Sequence, residues 1–240
     1  MICFEGSLSV KAVLLAKRRK VNEIWIDKKK RDRDTSFIIQ AAKQRKVPVV
    51  FKSREEIDAV ASGKTHGGII AYGTERKMQT VEEMLEAENP FLAVLEGIED
   101  PFNLGYALRT LYAAGCNGVL LNARDWSKVE GGIVKSSAGA SEYINIAFVT
   151  DMASSLKKCQ EAGCKLYCAM RKDAIEYYDA NYQGPIVLAI GGEMRGLSKA
   201  VLDAKGENIY VPYANDFRNA LNASSAVAAI SFEIVRQRRK

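Results

Sequence analysis

The 240-residue sequence lacks the features that mark secreted, membrane-spanning and zinc-binding proteins. It has one histidine and five cysteines, and no two cysteines form a CxxC pair. A metal cluster is therefore not expected, and we expect reduced, mostly buried thiols. No uncharged apolar run approaches the roughly 20 residues that span a membrane, and the first residues lack the basic and apolar regions of a secretory signal. These absences indicate a cytoplasmic protein with no membrane partner.

Two nucleotide-binding signatures are also missing. No GxGxxG occurs, so the sequence gives no support for a Rossmann cofactor site. The stretch LAIGGEMRGLS, residues 188–198, spaces Gly191 and Gly196 as a phosphate loop does and leads into a helix start. Leu197, however, stands where such a loop needs a lysine. The stretch is therefore either a simple turn or a site for a ligand other than a nucleoside triphosphate.

The net charge of +6 is concentrated in one part of the chain. Residues 1–79 contain 18 lysines and arginines against 9 acidic residues, whereas the remainder contains 17 against 20. The basic clusters are KRRK at 17–20, KKKRDR at 28–33 and KQRK at 43–46. A solvated basic face is one interpretation, but so large an asymmetry favours a surface for a polyanion such as RNA or DNA.

Hydrophobic periodicity predicts two α/β domains. Helices and strands alternate over residues 1–79, which predicts a small α/β sandwich. Residues 80–90 end in an Asn-Pro pair and add one short helix, so we expect a linker there. Residues 91–240 alternate again, and a long helix from about 219 to 238 ends the chain.

The strands predicted in this second domain include continuous apolar runs such as FLAVLE and IVLAI. Such runs are typical of a parallel sheet that is covered on both faces. Ligands bind such sheets beyond the carboxyl ends of the strands. The glycine-bearing turns after Glu96 and after Ile190 are expected at that edge.

The stretch EGIEDPFNLGYALRTLYAAG, residues 96–115, contains two candidate site residues. Apolar residues recur at helical spacing over 104–111, and Arg109 falls about 140 degrees from Leu104 at about 100 degrees per residue. Arg109 is therefore expected on the polar side of the helix, either as a surface arginine or as a group that faces a ligand. Asn103 is either the helix N-cap or a site residue.

Further candidates lie in the glycine-rich turn and near the start of the last helix. Glu193 sits where successive backbone N–H groups can converge on an acceptor. Asn222, Ser224 and Ser225 are small polar residues that suit helix caps as well as ligand contacts. Taken singly, none of them distinguishes turn chemistry from function.

Together these stretches resemble a known family. NLGYALRT, then IGGEMRGLS, then VPY with ALNASSAVAAISFE resemble the three motifs of the SpoU (TrmH-like) RNA ribose 2'-O-methyltransferases. GSLSVKAVLLA and THGGIIAYG resemble that family's L30e-like substrate-binding domain. The resemblance implies an α/β trefoil-knot (SPOUT) domain that binds S-adenosylmethionine and forms a homodimer. Such a methyl donor has no phosphate, which accounts for Leu197.

The resemblance also implies roles for particular residues. The active-site positions are Asn103, Arg109, Glu193, Asn222 and Ser224. The residues implied at the cofactor pocket are Gly191, Gly192, Glu193, Met194, Gly196, Val211, Pro212 and Leu221. The residues expected to contact RNA are Lys17, Arg18, Arg19, Lys28, Lys29, Lys30, Arg31 and His66.

Three departures from the family pattern concern the pocket. The usual loop is closer to GSEGxGLS, so Gly192 and Met194 are variants, Ala220 replaces a serine, and the segment before Asn222 is one residue longer. The resemblance implies an enzyme that methylates a ribose of structured RNA, with ribosomal RNA favoured over transfer RNA because of the L30e-like domain. The alternative is an RNA-binding protein of the same fold without activity, against which the joint presence of Asn103, Arg109, Glu193 and Asn222 argues.

Overall fold

The structure, a computed structural model, describes residues 1–239. The chain divides into two compact units. The first unit comprises Met1–Lys77 together with Asp125–Tyr143, and the second comprises Met78–Arg124 together with the chain from Ile144 onward. The first unit is therefore discontinuous in sequence, whereas the sequence predicts one contiguous domain over residues 1–79.

The first unit is an α/β sandwich around a four-stranded sheet. Its strands are β1 (Ile2–Glu5), β2 (Val21–Asp27), β3 (Val49–Lys52) and β4 (Ile69–Gly73). They are ordered β1-β4-β2-β3, with β4 antiparallel to both neighbours and β2 parallel to β3. Its helices, named in chain order, are α1 (Ser7–Ala16), α2 (Arg33–Gln44), α3 (Arg54–Asp58) and α6 (Glu130–Ser136).

The core of this unit includes a residue from the distant segment. Val134 of α6 is buried in the same apolar cluster as Phe4 of β1 and Ile38 of α2. The helix α6 also approaches β1 so closely that a Cβ on Gly131 would lie 2.4 Å from the carbonyl oxygen of Cys3. The segment 125–143 is thus part of the packing that stabilises the first unit.

The second unit contains a seven-stranded sheet in which every pairing is parallel. Its strands are β5 (Phe91–Glu96), β6 (Gly118–Asn122), β7 (Asn145–Val149), β8 (Lys165–Ala169), β9 (Ile175–Glu176), β10 (Ile186–Gly191) and β11 (Glu207–Tyr210). Its helices are α4 (Val81–Leu85), α5 (Pro101–Ala113), α7 (Met152–Glu161), α8 (Lys199–Asp203) and α9 (Ala223–Arg238). The parallel α/β class predicted from the apolar runs is confirmed.

The predicted linker contributes to this unit. The short helix α4 begins with a capping box between Thr80 and Glu83. Val81 and Met84 are buried in the core cluster of the second unit, and Met84 packs directly on Gly118. Residues 80–90 are therefore partly packed, although their apolar pattern is too short to indicate it.

Strand order brings the motif-bearing segments together. The strands are ordered β7-β6-β5-β10-β8-β11-β9, so β5 and β10 are neighbours. Because they run parallel, the turns after Glu96 and after Gly191 leave the same edge of the sheet. The helices α5 and α9 pack against each other beside it.

All five cysteines are free. Four are buried, and burial raises the pKa of the Cys116 and Cys159 thiols to about 12 and that of Cys168 to about 11. A buried thiol resists ionisation because the thiolate loses its hydration. Within residues 1–239, no helix is both long and apolar enough to cross a membrane.

Candidate active site

A cleft of about 250 Å³ opens at the carboxyl ends of three strands of the second unit. Ala169 ends β8, Gly191 ends β10 and Tyr210 ends β11, and all three line the cleft. The other lining residues are Met170, Arg171, Ile190, Ile209, Val211, Tyr213, Arg218, Ala220, Leu221, Ala223, Ala226 and Ile230. The walls are largely apolar, and no acidic side chain is among these residues.

Of the eight residues implied at the cofactor pocket, Gly191, Val211 and Leu221 line this cleft. Pro212 follows Val211 and is half-buried outside the lining. A neighbouring hollow of about 260 Å³ shares Arg171, Tyr210, Val211 and Tyr213 with the cleft.

The loop between β11 and α9 closes on itself at the rim. The hydroxyl oxygen of Tyr213 accepts a hydrogen bond from the backbone N–H of Leu221 at 2.9 Å. The guanidinium carbon of Arg171 lies 4.4 Å from the ring centroid of Tyr213, a cation–π contact. The same guanidinium donates to the carbonyl of Asn219 at 3.5 Å. Arg171 therefore joins the end of β8 to both sides of the loop.

The glycine-rich turn is close-packed at its first two residues. A Cβ on Gly191 would lie 2.2 Å from the carbonyl carbon of Gly196, and a Cβ on Gly192 would lie 2.1 Å from the carbonyl oxygen of Gly97. Since real Cβ atoms are never found so close to backbone, both positions require glycine. The turn is further closed by a hydrogen bond from the N–H of Gly196 to the carbonyl of Gly192 at 2.9 Å.

The tip of this turn is open to solvent. Met194 is 95% exposed, and Glu193 and Gly196 are also exposed. None of the three lines the cleft, and neither does Gly192, which is buried beneath the turn. Of the pocket residues implied in this turn, only Gly191 forms part of the cleft wall.

Glu96 holds the turn to the sheet and was not singled out from the sequence as a site residue. Its side chain is buried at the end of β5. One carboxylate oxygen accepts from the N–H of Ser198 at 2.7 Å, and the other accepts from the hydroxyl of Ser198 at 3.0 Å. The sequence did contain a signal for Glu96, because it places a carboxylate at the end of an otherwise apolar strand. Such a charge needs hydrogen-bond donors when it is buried.

Three of the implied active-site residues meet at the start of α9. The Nδ2 group of Asn222 donates to Oδ1 of Asn103 at 3.2 Å. Oδ1 of Asn222 accepts from the backbone N–H of Ser224 at 2.8 Å and from its hydroxyl at 2.6 Å. Asn222 is thus the N-cap of α9, and its remaining amide group contacts α5.

Asn103 itself is not a cap. It lies within α5, whose N-cap is Asp100, and the Asp100 carboxylate accepts from the N–H of Asn103 at 2.8 Å. The expectation that Asn103 caps the helix is therefore wrong. Pro101 suits the first position of the helix, which places the cap one residue before it.

Arg109 and Glu193 lie apart from the asparagine cluster. Arg109 is exposed on α5, as the helical spacing predicts. Within the described part of the chain, neither side chain forms a hydrogen bond or an ion pair, so nothing in the chain itself fixes them.

Two of the residues expected to contact RNA are buried. Arg19 forms ion pairs with Glu130 at 2.6 Å and Glu142 at 2.7 Å, and its side chain is fully buried. Burial opposes its charge, but the hydrogen bonds that Arg19 donates to Glu142 and Glu130 outweigh this and raise the pKa of the guanidinium. His66 is 1% exposed and lies 2.8 Å from Asp58. Neither side chain is available to a phosphate.

The other residues expected at the RNA surface are at least partly accessible. Lys17, Lys28, Lys29 and Arg31 are exposed, and Arg18 is half-buried. Lys30 is half-buried and pairs with Asp32 at 2.6 Å.

The fold and the site define an RNA methyltransferase of the SPOUT class. The chain belongs to the SpoU rRNA methylase family, whose model matches residues 90–232. A second model, for the RNA 2'-O ribose methyltransferase substrate-binding domain, matches residues 4–79. The methyl donor of this enzyme class is S-adenosylmethionine.

Relatives match along nearly the whole chain. The sequence is 32% identical over 238 residues to the 23S rRNA (guanosine-2'-O-)-methyltransferase RlmB of Yersinia pestis, covering 97% of this chain and 96% of the relative. It is 27% identical to a putative TrmH family tRNA/rRNA methyltransferase, YacO, of Bacillus subtilis, covering 92% and 90%.

Solved structures share the fold at lower identity. The SpoU methyltransferase AviRb from Streptomyces viridochromogenes, in complex with AdoMet, superposes with a TM-score of 0.83 at 19% identity, covering 98% of this chain and 89% of that one. The AdoMet-bound rRNA methyltransferase from Sinorhizobium meliloti gives 0.81 at 21% identity, covering 98% and 87%.

Proposed function

We propose that this protein transfers the methyl group of S-adenosylmethionine to the 2'-hydroxyl of a ribose in structured RNA, with ribosomal RNA favoured over transfer RNA. The observation that carries the proposal is the cleft at the carboxyl ends of β8, β10 and β11, whose lining contains Gly191, Val211 and Leu221. A ribosomal substrate agrees with the 23S rRNA specificity named for the bacterial relatives. It also agrees with the cytoplasmic location expected from the sequence.

The cleft fits the chemistry of this donor. Its apolar walls, formed by residues such as Ile190, Ile209 and Ile230, suit an adenosine group. With the adjoining hollow, it falls within the roughly 300–1,000 Å³ usual for small-molecule sites. When bound, the donor supplies a methyl group on a sulfonium, which is electrophilic and needs no metal. Arg171 and Arg218 at the lining would suit the carboxylate of the methionine part.

The chain must supply the groups that prepare the ribose hydroxyl. That hydroxyl is a poor nucleophile until its proton moves, and in-line attack requires it to be held in place. The Ser224 hydroxyl donates to Asn222, so its lone pairs remain available to accept a hydrogen bond from the ribose hydroxyl, whose proton then passes to a substrate phosphate or to solvent. Asn222 uses Oδ1 for the cap and its amide N–H for Asn103, so it acts by positioning.

We assign the chemical step to Arg109. A guanidinium stays protonated at neutral pH and is therefore a reluctant base. We therefore propose that Arg109 orients a substrate phosphate or stabilises the developing alkoxide, in preference to removing the proton. The exposed Glu193 is proposed to contact the same substrate.

We also propose a homodimer formed through the second unit. The sequence predicts an apolar stripe for this dimer from Leu221, Ile230, Phe232 and Ile234. These residues do not form one exposed face, because Ile230 and Ile234 are buried within the unit. Exposed aromatic side chains remain on the packed pair α5 and α9: Phe102, Tyr106, Tyr112 and Phe232. Light scattering at micromolar concentration should give about twice the chain mass. A mass equal to that of one chain would contradict the proposal.

Isothermal titration calorimetry tests the assignment of the cleft. We expect S-adenosylmethionine to bind and ATP not to bind, because no lysine follows the glycine loop. Leu221→Asp, at the cleft lining, should weaken binding of the donor, whereas Leu202→Asp, an exposed leucine on α8, should not. Binding of ATP alone, or donor affinity unaffected by Leu221→Asp, would contradict the assignment.

A further inference from the structure

The first unit contains a basic cleft of about 410 Å³ where α1 and α2 end and β2 begins. Its lining residues are Leu14, Lys17, Arg19, Lys20, Val21, Arg45, Lys46 and Val47. Two of the three basic clusters in the sequence, at 17–20 and 43–46, thus meet around one concave surface. No acidic residue belongs to the lining.

The cations that face this cleft are not neutralised. Within residues 1–239, no carboxylate pairs with the ammonium groups of Lys17, Lys20 or Lys46, and all three side chains are exposed. Arg45 donates only to the carbonyl of Leu15, at 3.4 Å. Arg19 is the exception, because its guanidinium is buried against Glu130 and Glu142.

Four lysines elsewhere in the same unit are paired, whereas the exposed Lys28 and Lys29 form no ion pair within residues 1–239. The ammonium groups of Lys11, Lys30, Lys52 and Lys135 lie between 2.5 and 3.0 Å from a carboxylate oxygen. The cluster at 28–33 also contains Asp32, which pairs with Lys30. The cleft therefore gathers several unpaired cations on one concave surface, where converging cations raise the local potential for an anion.

The backbone at the cleft is not the one that stability alone favours. Lys17 follows α1 with φ 59° and Lys46 follows α2 with φ 56°, both in the left-handed region. Glycine is the residue that helix ends prefer in this conformation, because a Cβ is disfavoured there. Lys205, after α8, has φ 54° outside the cleft, so this conformation alone does not indicate a ligand. An independent observation is that two lysines in this conformation, Lys17 and Lys46, line one cleft that contains no acidic residue.

We propose that this cleft binds successive phosphates of the RNA backbone, through Lys17, Lys20, Arg45 and Lys46. The inference rests on the proposed function, since it assigns the cleft to the same RNA. It retains Lys17 among the RNA contacts expected from the sequence and adds Lys20, Arg45 and Lys46 to them. Phosphate contacts fix the register of an RNA without reading its sequence, so the cleft would position the substrate.

The test compares Lys17→Gly/Lys46→Gly with a control pair, Lys165→Gln/Lys205→Gly, that removes the same charge from exposed lysines of the second unit. The affinity of each full-length protein for a 23S rRNA transcript is measured over a range of salt concentrations. The cleft variant should bind about tenfold more weakly near 0.1 M salt, and its log–log salt slope should fall by about 1.5, because each phosphate contact contributes about 0.7 to 0.9. The control should match the wild type.

Thermal unfolding of the same proteins separates binding from folding. Because glycine suits the left-handed positions, the melting temperature of the cleft variant should be unchanged or higher. Equal affinity and salt slope in the cleft variant and the control would overturn the proposal. The proposal would also be overturned if inorganic phosphate bound at the cleft while the salt slope of RNA binding stayed unchanged. The cleft would then be a site for free anions.

The two proposals fail in different ways. Binding of S-adenosylmethionine should be unaffected in the cleft variant, since neither lysine lines the cofactor cleft of the second unit. If the wild type transfers methyl groups but the salt slopes coincide, only the cleft assignment fails. If the wild type transfers none, the proposed function fails, while the binding comparison still decides the cleft.

Discussion

Asn222 donates a hydrogen bond to Asn103 at 3.2 Å although 119 positions separate the two residues in the sequence. This contact joins the N-cap of α9 to the first turns of α5, and so it connects the first and third motifs of the family. The same side chain orders Ser224 through two further hydrogen bonds. The positions of Asn103 and Ser224 relative to each other therefore depend on both the oxygen and the nitrogen of the Asn222 side-chain amide.

Replacing Asn222 separates its two roles. Asn222→Asp keeps an acceptor for the Ser224 N–H and remains a good N-cap, but it has no N–H to donate to Asn103. We expect stability within about 0.5 kcal/mol of the wild type and methyl transfer slower by about tenfold or more. Asn222→Ala, which also loses the cap, should lose about 1 kcal/mol in addition. Chemical denaturation and single-turnover transfer measure the two effects, and equal transfer rates for Asp and Asn would contradict the assigned role.

Glu96 should control the glycine-rich turn. Glu96→Gln keeps the shape of the side chain but removes its negative charge, so both hydrogen bonds to Ser198 lose their charge assistance and the Ser198 hydroxyl must reverse to accept from the amide. We expect a loss of about 1–3 kcal/mol in stability, together with weaker binding of S-adenosylmethionine. The exposed neighbour Glu99 provides the control Glu99→Gln. If both variants bind the donor with wild-type affinity in calorimetry, the turn does not depend on Glu96.

Arg19 should contribute to stability and not to RNA affinity. Arg19→Ala leaves the buried Glu130 and Glu142 carboxylates without their partner, which typically costs about 3–5 kcal/mol. Lys20→Ala, next in sequence and exposed, should change stability by no more than about 0.5 kcal/mol. Urea denaturation checks the difference. Similar stabilities for the two variants would show that the buried ion pairs are not required.

Arg109 should affect the chemical step without affecting the fold or the donor. It is exposed and does not line the cofactor cleft of the second unit. Arg109→Ala should therefore change stability by a few tenths of a kcal/mol and leave S-adenosylmethionine affinity unchanged. Methyl transfer at saturating RNA should fall by about a hundredfold or more, as for a group that acts in the transition state. Lys157→Ala, exposed on α7, is the control. A near wild-type rate would make Arg109 an ordinary surface residue.

Much of the second unit was predictable from the sequence because its strands are continuous apolar runs. The strand β5 coincides with the run FLAVLE, β10 extends the run IVLAI by Gly191, and the parallel sheet follows from their burial on both faces. The two-residue strand β9 was not predicted, since it is too short to show a period. The last helix begins at Ala223 and not near 219, because Asn222 caps it.

The site was less predictable where its geometry depends on contacts between residues that are far apart in the sequence. A cluster such as KRRK does not reveal that Arg19 turns inward, because its partners Glu130 and Glu142 are more than 100 residues away. The same distance hides the role of segment 125–143 in the first unit. The positions of Arg109 and Glu193 relative to a substrate remain predictions, since neither side chain forms a hydrogen bond or an ion pair within the described chain.

The central claim is methyl transfer to a ribose oxygen of RNA. The most direct measurement incubates the protein with S-adenosylmethionine labelled in its methyl group and a 23S rRNA transcript, then digests the RNA to nucleosides. The account predicts label in a 2'-O-methylated nucleoside, at a linkage that resists alkaline cleavage, and almost none with Arg109→Ala. Label on a base, or no transfer to ribosomal or transfer RNA, would contradict it.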